Sequence, residues 1–363
     1  MASSGYPFFK SIGIFISRTI SRFVLWLYSG VFTLMLTIVG SLMYRERMSH
    51  NNGVGAAGSL RIVPDPQFPP HPFFEPGKTY PCRIRHAAAS FLDDAMRVVR
   101  SMSIKFADTR FASPLDLELN TGEVALFWSA ASFLRFAKYK KTAYGIQYHQ
   151  YYRNYPAGVR GAHAGMRRNP TSFSNLRFYG QTPFLYVGAD QVKRYAKYRA
   201  VPAEDVPETG ILDAYDRSIP TENQRILPGE TLSRNYLKEE YKHRLSQGPV
   251  RYKLQIQLHT ASDDDTAEIF NCCREWEEAS HPWMDLADIQ IDRALDWRES
   301  CLMAFSVGNM PKGLGVIPAK SIFDYNSLNY MRLHSEMARR ARTFMIRTFG
   351  IPPEIPSDDN RNV

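Results

Sequence analysis

RMSHNNGVGAAGSLRIV, Arg47 to Val63, holds a complete G-x-G-x-x-G at Gly53, Gly55 and Gly58. A dinucleotide-binding loop of that spacing needs a strand before it and a helix after it, so that amides at the helix N-terminus face the pyrophosphate. Neither flank complies: YRERMSH is charged and polar, while SLRIVPDP is short, β-like and broken by Pro64 and Pro66. The glycines are therefore backbone devices, because glycine accepts positive φ and close approach where a Cβ would collide. They follow His50, which itself follows Arg47 by three residues.

Working outward, VPDPQFPPHPFFEPGKTYP is too rich in proline for regular helix or a central strand. Beyond it PCRIRHAAA, SMSIKFAD, LDLELN, VALFWS and RYKLQIQLHT alternate apolar and polar residues, the pattern of half-buried antiparallel strands, and ADIQIDRAL adds another. Arg135 to Asn175 reads as helical and irregular, and Thr231 to Gln247 as helix. Apolar residues recur at helical spacing from about Tyr325 to Phe349, until Gly350 and Pro352 stop the helix. Strands first and helices last predict an α+β fold with an antiparallel barrel or strongly curved sheet.

With 44% hydrophobic residues in 363, the chain can bury a sizeable core. Its net charge of +9 suits an acidic partner, but the basic residues of KYKKTAYGIQYHQYYRNY are interleaved with tyrosine rather than blocked, which argues against nucleic acid. Cys82, Cys272, Cys273 and Cys301 lack zinc spacing, and a disulfide between the adjacent pair would be strained, so buried free thiols are expected. His149, His163 and His281 lack the spacing of a metal site. The Asp263 to Asp265 run lacks the glycine and final glutamate of a calcium loop and reads as a solvated turn. No hydrolase nucleophile motif is present. Phe23 to Met43 is uncharged and long enough to cross a bilayer, after a basic segment 1–22 containing Lys10, Arg18 and Arg22, so residues 23–43 are expected to be a membrane anchor.

The string RMSHNNGVGAAG resembles the distal haem motif of the catalase superfamily, and YPCRIRHAAASFLDDA, RSMSIKFAD, PLDLELNTGEVALFW, HRLSQGPVRYKLQIQLHTASDDDTAEIF and HPWMDLADIQI continue the likeness in order. It is similar to a compact catalase core, and within that superfamily to the catalase-related allene oxide synthases. The resemblance implies an antiparallel β-barrel catalase core with surrounding helices over residues 47–345, preceded by the hydrophobic helix and followed by a tail, 346–363. It implies haem b with His50 and Asn120 on the distal side, and Arg47, Arg85 and Arg332 at the propionates. Catalases carry valine immediately before the distal histidine and the lipid branch carries threonine, whose hydroxyl restrains the imidazole. Ser49 stands there, which favours the lipid branch. His86, next to Arg85, reads as a satisfied core or wall residue rather than a catalyst.

The family's iron ligand is a tyrosine four residues after an arginine. Matching SIFDY to the large-catalase string makes Tyr325 the ligand. Aligning AKSIFDYNSLNYMR with the allene oxide synthase type makes Tyr325 a turn residue and places Arg332 and then Glu336, so that the metal position falls on Glu336. The second register keeps the arginine without a gap. In it Glu336 and Arg332 are expected to pair with each other, with Tyr330 as a displaced alternative and His334 badly placed. Two functions follow from the resemblance: a membrane-anchored haem enzyme that rearranges fatty-acid hydroperoxides, or a non-catalytic lipid- or partner-binding protein on a catalase scaffold. Ser49 and the missing tyrosine disfavour a hydrogen-peroxide catalase. A homo-oligomer is left open.

Overall fold

The computed structural model describes residues 6–35, 37–38, 42, 47, 50–89, 93–137, 153–219, 226–354 and 356. Helix α1 spans Tyr6–Met35. Then come β1 (Gly53–Ile62), β2 (Thr79–Ala88), β3 (Val98–Lys105) and β4 (Asp116–Thr121). Helices α2 (Ala130–Ala137) and α3 (Pro156–Gly165) lead to the short β5 (Met166–Arg167), which pairs with β3. Strands β6 (Phe178–Val187) and β7 (Lys193–Pro202) follow. After α4 (Ala214–Ser218) and α5 (Tyr236–Gln247) the chain forms β8 (Val250–Thr260) and β9 (Met284–Ala294). It ends with α6 (Trp297–Leu302), β10 (Leu314–Gly315), α7 (Ser327–Arg332) and α8 (Glu336–Phe349).

The sheet runs β6-β4-β3-β2-β1-β9-β8-β7, and β7 pairs back onto β6, which closes an eight-stranded antiparallel barrel. Closure leaves these strands without an open edge. Alternation sends Val54, Ala56, Ile84, Met102, Ile104, Leu117, Leu119, Tyr198, Tyr252 and Leu254 into one buried cluster. The opposite side chains of β2 and β4, including Arg85, Glu118 and Asn120, therefore face outward.

The expected strand at VALFWS does not form. Ser129 and Ser132 exchange backbone-to-hydroxyl bonds of 3.2 and 2.9 Å in a capping arrangement that starts α2 instead. The expected single helix from Tyr325 to Phe349 is broken by a 3-10 turn at Leu333–Ser335. The expected anchor at 23–43 lies partly outside the described residues. The helix begins at Tyr6 rather than Phe23 and includes Lys10, Arg18 and Arg22, and no helix among the described residues is long and apolar enough to cross a membrane. One face of its C-terminal half is committed to protein: Leu25 and Phe32 pack with Ala131, Ile322 and Met331, and the Thr33 hydroxyl donates to His334 O at 2.9 Å.

Candidate functional site

The strand register assembles a face on the outside of the barrel. One row across β1, β2, β3 and β4 is Gly53, Ala87, Ser101, Asn120, and the next is Gly55, Arg85, Ser103, Glu118. At about 4.8 Å between strands, the first row presents small side chains as far as Asn120, and the second carries Arg85 and ends at Glu118. His50 lies three residues before the first of these rows in the left-handed region (φ 62°), which a non-glycine residue holds only when its surroundings enforce it. The enforcement is visible. Arg85 donates to His50 O at 2.8 Å and Asn51 O at 2.9 Å, Asn51 exchanges bonds with the Arg47 backbone, and buried Asn52 donates to Asn235 Oδ1 at 3.1 Å.

Of the distal residues expected from sequence, Arg85 is brought against the His50 turn and acts on Arg47, while Asn120 stands three strands away at the β4 end of the row that begins at Gly53. Ser49 lies outside the described residues, as does His149. The contacts add two details. The three glycines serve protein packing: a Cβ on Gly53 would meet Arg85 and His86 O, one on Gly55 would meet Met303 and Ser300, and one on Gly58 would meet Gln290 O. Arg85 is spent largely as a clamp on the His50 turn, while the Arg47 guanidinium donates to the carbonyls of Cys301 and Met303.

Arg342, which sequence reasoning missed, joins them by donating to Cys301 O at 2.9 Å. Burial, followed by the charges of Arg85 and Arg342, pulls the Arg47 guanidinium well below its ordinary range. Burial, followed by Arg342, holds Arg85 at about 10. Neither Arg47 nor Arg85 has a salt bridge to a carboxylate among the described residues. Together with Arg342 they form a buried cationic cluster, a setting that suits an anion.

The opposite wall is α7 and α8. The expected Arg332–Glu336 pair is absent because the 3-10 turn between them breaks the helical spacing. Arg332 instead forms an ion pair with Glu118, on the Asn120 side of the face, and donates to Asn329 Oδ1 at 3.1 Å. Glu336 opens α8, where the helix dipole favours an anion, and its carboxylate is taken by Arg339 and Arg340. Hydrogen bonds from Arg339 and Arg340 hold it below the usual carboxylate range. Tyr325 is a turn residue whose hydroxyl donates to Glu268 Oε1 at 2.8 Å, which agrees with the second register. The Tyr330 ring packs edge-on against His334, 5.8 Å away.

Against haem the outcome is divided. The cationic cluster suits its carboxylates, and the row of small side chains suits a flat face. The iron side does not fit: Glu336 is neutralised by two arginines, and the Arg332–Glu118 ion pair bridges barrel and helix. Among the described residues no group of three or more His, Cys, Asp or Glu could hold a metal ion.

His86, read as a core or wall residue, is fully buried inside the barrel, with Nε2 3.1 Å from the Tyr252 hydroxyl. Asp265 is not the solvated turn residue expected. It faces His259 Nε2 at 2.8 Å, and His259 Nδ1 is 2.9 Å from His281 Nε2. Glu118 was legible in principle, since LDLELN puts it on the same strand face as Asn120. Arg342 carried no local signal.

The closed antiparallel barrel with these helices defines a catalase-like fold. Two solved structures agree: a bacterial catalase superposes with a TM-score of 0.61 at 16% identity, covering 83% of this chain and 60% of the other. A fungal catalase gives 0.59 at 17% identity, covering 83% and 61%. No family model matches the chain. It is 38% identical over 312 residues to the allene oxide synthase-lipoxygenase protein of Plexaura homomalla, covering 84% of this chain and 28% of that protein. It is 30% identical over 302 residues to a linolenate 9R-lipoxygenase of Nostoc sp., covering 79% and 37%. The chain therefore spans about a third of the length of these relatives. It has a catalase-like fold and is similar over most of its length to part of an allene oxide synthase-lipoxygenase protein.

Proposed function

We propose that this chain is a fatty-acid hydroperoxide-binding domain of the catalase fold. The observation that carries the reading is the His50 turn clamped by buried Arg85 with Arg47 nearby, on the barrel face whose β4 end carries Asn120, beside a relationship to part of an allene oxide synthase-lipoxygenase protein. The Asn120 amide and His50 imidazole suit the two oxygens of a hydroperoxide, and the arginine cluster suits a carboxylate.

A second reading, a hydroperoxide dehydratase or isomerase using haem b, is favoured by that same relationship. Haem, when bound, would supply the one-electron chemistry that splits an O–O bond. The ion pairs of Glu336 and Arg332 weigh against it.

Titration with haem separates the two. The first reading expects no Soret band, together with saturable binding of a conjugated fatty-acid hydroperoxide that Asn120→Leu and Arg47→Gln each weaken roughly tenfold, the loss of one charge-assisted or buried hydrogen bond. Absence of that binding overturns it. A Soret band with consumption of the hydroperoxide establishes the second reading, and oxygen evolution from hydrogen peroxide would instead show a catalase.

We also infer that the protein works at a lipid surface. The outward face of α1 presents Ile16, Ile20, Phe23, Leu27, Val31 and Leu34, all 45–58% exposed, at spacings of three and four residues. Such a stripe suits a helix lying in the membrane interface rather than spanning it.

A further inference from the structure

The connection from β8 to β9, residues 261–283, is a strap laid across three other parts of the fold. Its Cys272 O accepts from Ala125 N at 2.8 Å, in the segment that leads from β4 to α2. Glu275 forms an ion pair with Arg160 of α3, and Glu268 Oε1 accepts from the Tyr325 hydroxyl at 2.8 Å, in the turn before α7. Side chains tie the two ends of the strap together. His259, near the end of β8, has Nε2 2.8 Å from Asp265 Oδ1 and Nδ1 2.9 Å from His281 Nε2. The remaining His281 nitrogen, Nδ1, is 3.0 Å from the Ser280 hydroxyl. Trp276 packs against both rings, with centroids 5.9 Å from His259 and 5.3 Å from His281, and the Tyr195 ring lies parallel to His259 at 6.2 Å.

Counting protons along these four groups shows what the chain of bonds tolerates. With both imidazoles neutral, every bond has one donor: the Ser280 hydroxyl donates to His281 Nδ1, His281 Nε2–H to His259 Nδ1, and His259 Nε2–H to Asp265. One added proton is also accommodated. His259 then donates from both nitrogens, to Asp265 and to His281 Nε2, while His281 Nδ1–H donates to Ser280 Oγ and the Ser280 hydroxyl turns to Glu277 O, 3.2 Å away. A second proton has no place. It puts hydrogens on both of the nitrogens that face each other at 2.9 Å, and sets two cationic rings, centroids 5.1 Å apart, against one carboxylate. Of the charges nearby, Lys193 and Lys197 of β7 add to the repulsion and the exposed Glu277 opposes it. Burial, then the charge of His259, hold His281 below its ordinary range.

We propose that Asp265, His259 and His281 are a pH latch, which holds the strap closed with no added proton or one and releases it on the second. Once released, His281 regains the proton affinity of an exposed imidazole, with a pKa of about 6.5. The released state therefore takes up a proton that the closed state refuses. Closure is fully favoured above that pH, and the ratio of closed to released strap falls by up to about tenfold per pH unit below it. Release unties Cys272 O from the segment that follows Asn120 and Glu268 from the turn that precedes Arg332, so it loosens both flanks of the outer barrel face. The latch belongs to the strap itself and does not depend on what that face binds.

The test is hydrogen exchange of the full chain read by mass spectrometry, without any ligand, from about pH 7.5 to about pH 5, with rates corrected for the intrinsic pH dependence of exchange. Corrected exchange in peptides from 262–280 is expected to rise by up to about tenfold per pH unit below about 6.5, while peptides from β2 and β3 stay protected. His281→Gln keeps a side-chain amide toward His259 and removes the titration, so its strap is expected to exchange independently of pH. Asp265→Asn removes the carboxylate that stabilises the first proton, so release is expected to begin at a higher pH than in the wild type. A wild-type strap whose protection is flat over this range, release that coincides with exchange of β2 and β3, or a His281→Gln strap that follows the wild-type profile would overturn the proposal.

Discussion

Inside the barrel the His86 imidazole lies parallel to Phe173, with centroids 4.8 Å apart and 7° between planes, and burial pulls its pKa from 6.5 to about 3. The folded state therefore refuses a proton that the unfolded chain accepts. The stabilisation is complete above pH 6.5 and is lost as pH falls from there toward 3, an effect on the order of 4 kcal/mol across the window. His86→Phe keeps an aromatic ring and removes the titration. Denaturant unfolding from pH 7 to pH 4 is expected to show the wild type losing more stability than the variant, and parallel losses would contradict this assignment. On the outer face the residues in question are Glu118 and Glu336, one bridged to Arg332 and the other held by Arg339 and Arg340. Glu336→Tyr alone leaves the bridge, and Glu118→Leu alone leaves the carboxylate. In haem titrations the double variant is expected to gain a Soret band and to bind roughly tenfold or more tightly than either single variant. Additive effects would mean that the two sites do not act on one slot.

At the scale of elements, β1 shows what the sequence conveys and what it leaves out. The glycine spacing and the histidine pointed to the face, but not to which neighbour each glycine admits. Gly58 sits at a register shift against β9, where an added Cβ would lie 2.0 Å from Gln290 O, a backbone atom that cannot yield. At Gly55 the closest atom is Met303 Sδ at 3.0 Å, the movable end of a flexible side chain, although the Ser300 backbone is only slightly farther, at 3.2 Å. Gly58→Ala is therefore expected to cost more than about 3 kcal/mol or to abolish soluble expression, and Gly55→Ala roughly 1–2 kcal/mol. Chemical unfolding and soluble yield check the order. Strands β2, β3, β4, β8 and β9 were legible because they alternate. Strands β6 and β7 were not: FYGQTPFLYV carries Gly180 and Pro183 around a bulge, and KRYAKYRAVP buries Lys197 where polarity suggested solvent. The break between α7 and α8 was illegible too, since LHS fits a helix as well as a 3-10 turn, yet that turn separates Arg332 from Glu336.

For the whole molecule, the net charge of +9 and the exposed stripe of α1 act together. Barrel closure and the packing of Leu25 and Phe32 fix one side of the helix to the domain, which leaves Ile16, Ile20, Phe23, Leu27, Val31 and Leu34 outward. Arg18 and Arg22 are exposed in the same helix, and no acidic residue precedes Glu46. An apolar stripe with nearby cations binds an anionic bilayer through buried area plus charge, and salt weakens only the second part. Trp26, 65% exposed, reports the encounter. Vesicles containing phosphatidylserine are expected to co-float with the protein and to blue-shift its tryptophan emission. Phe23→Glu with Leu27→Glu is expected to reduce partitioning at least roughly tenfold, the cost of placing two charges in an apolar interface. Raised salt is expected to lower partitioning without abolishing it. Partitioning that vanishes with salt and ignores the two glutamates would mean that charge alone draws the protein to the vesicle, and that the apolar stripe of α1 covers some other surface.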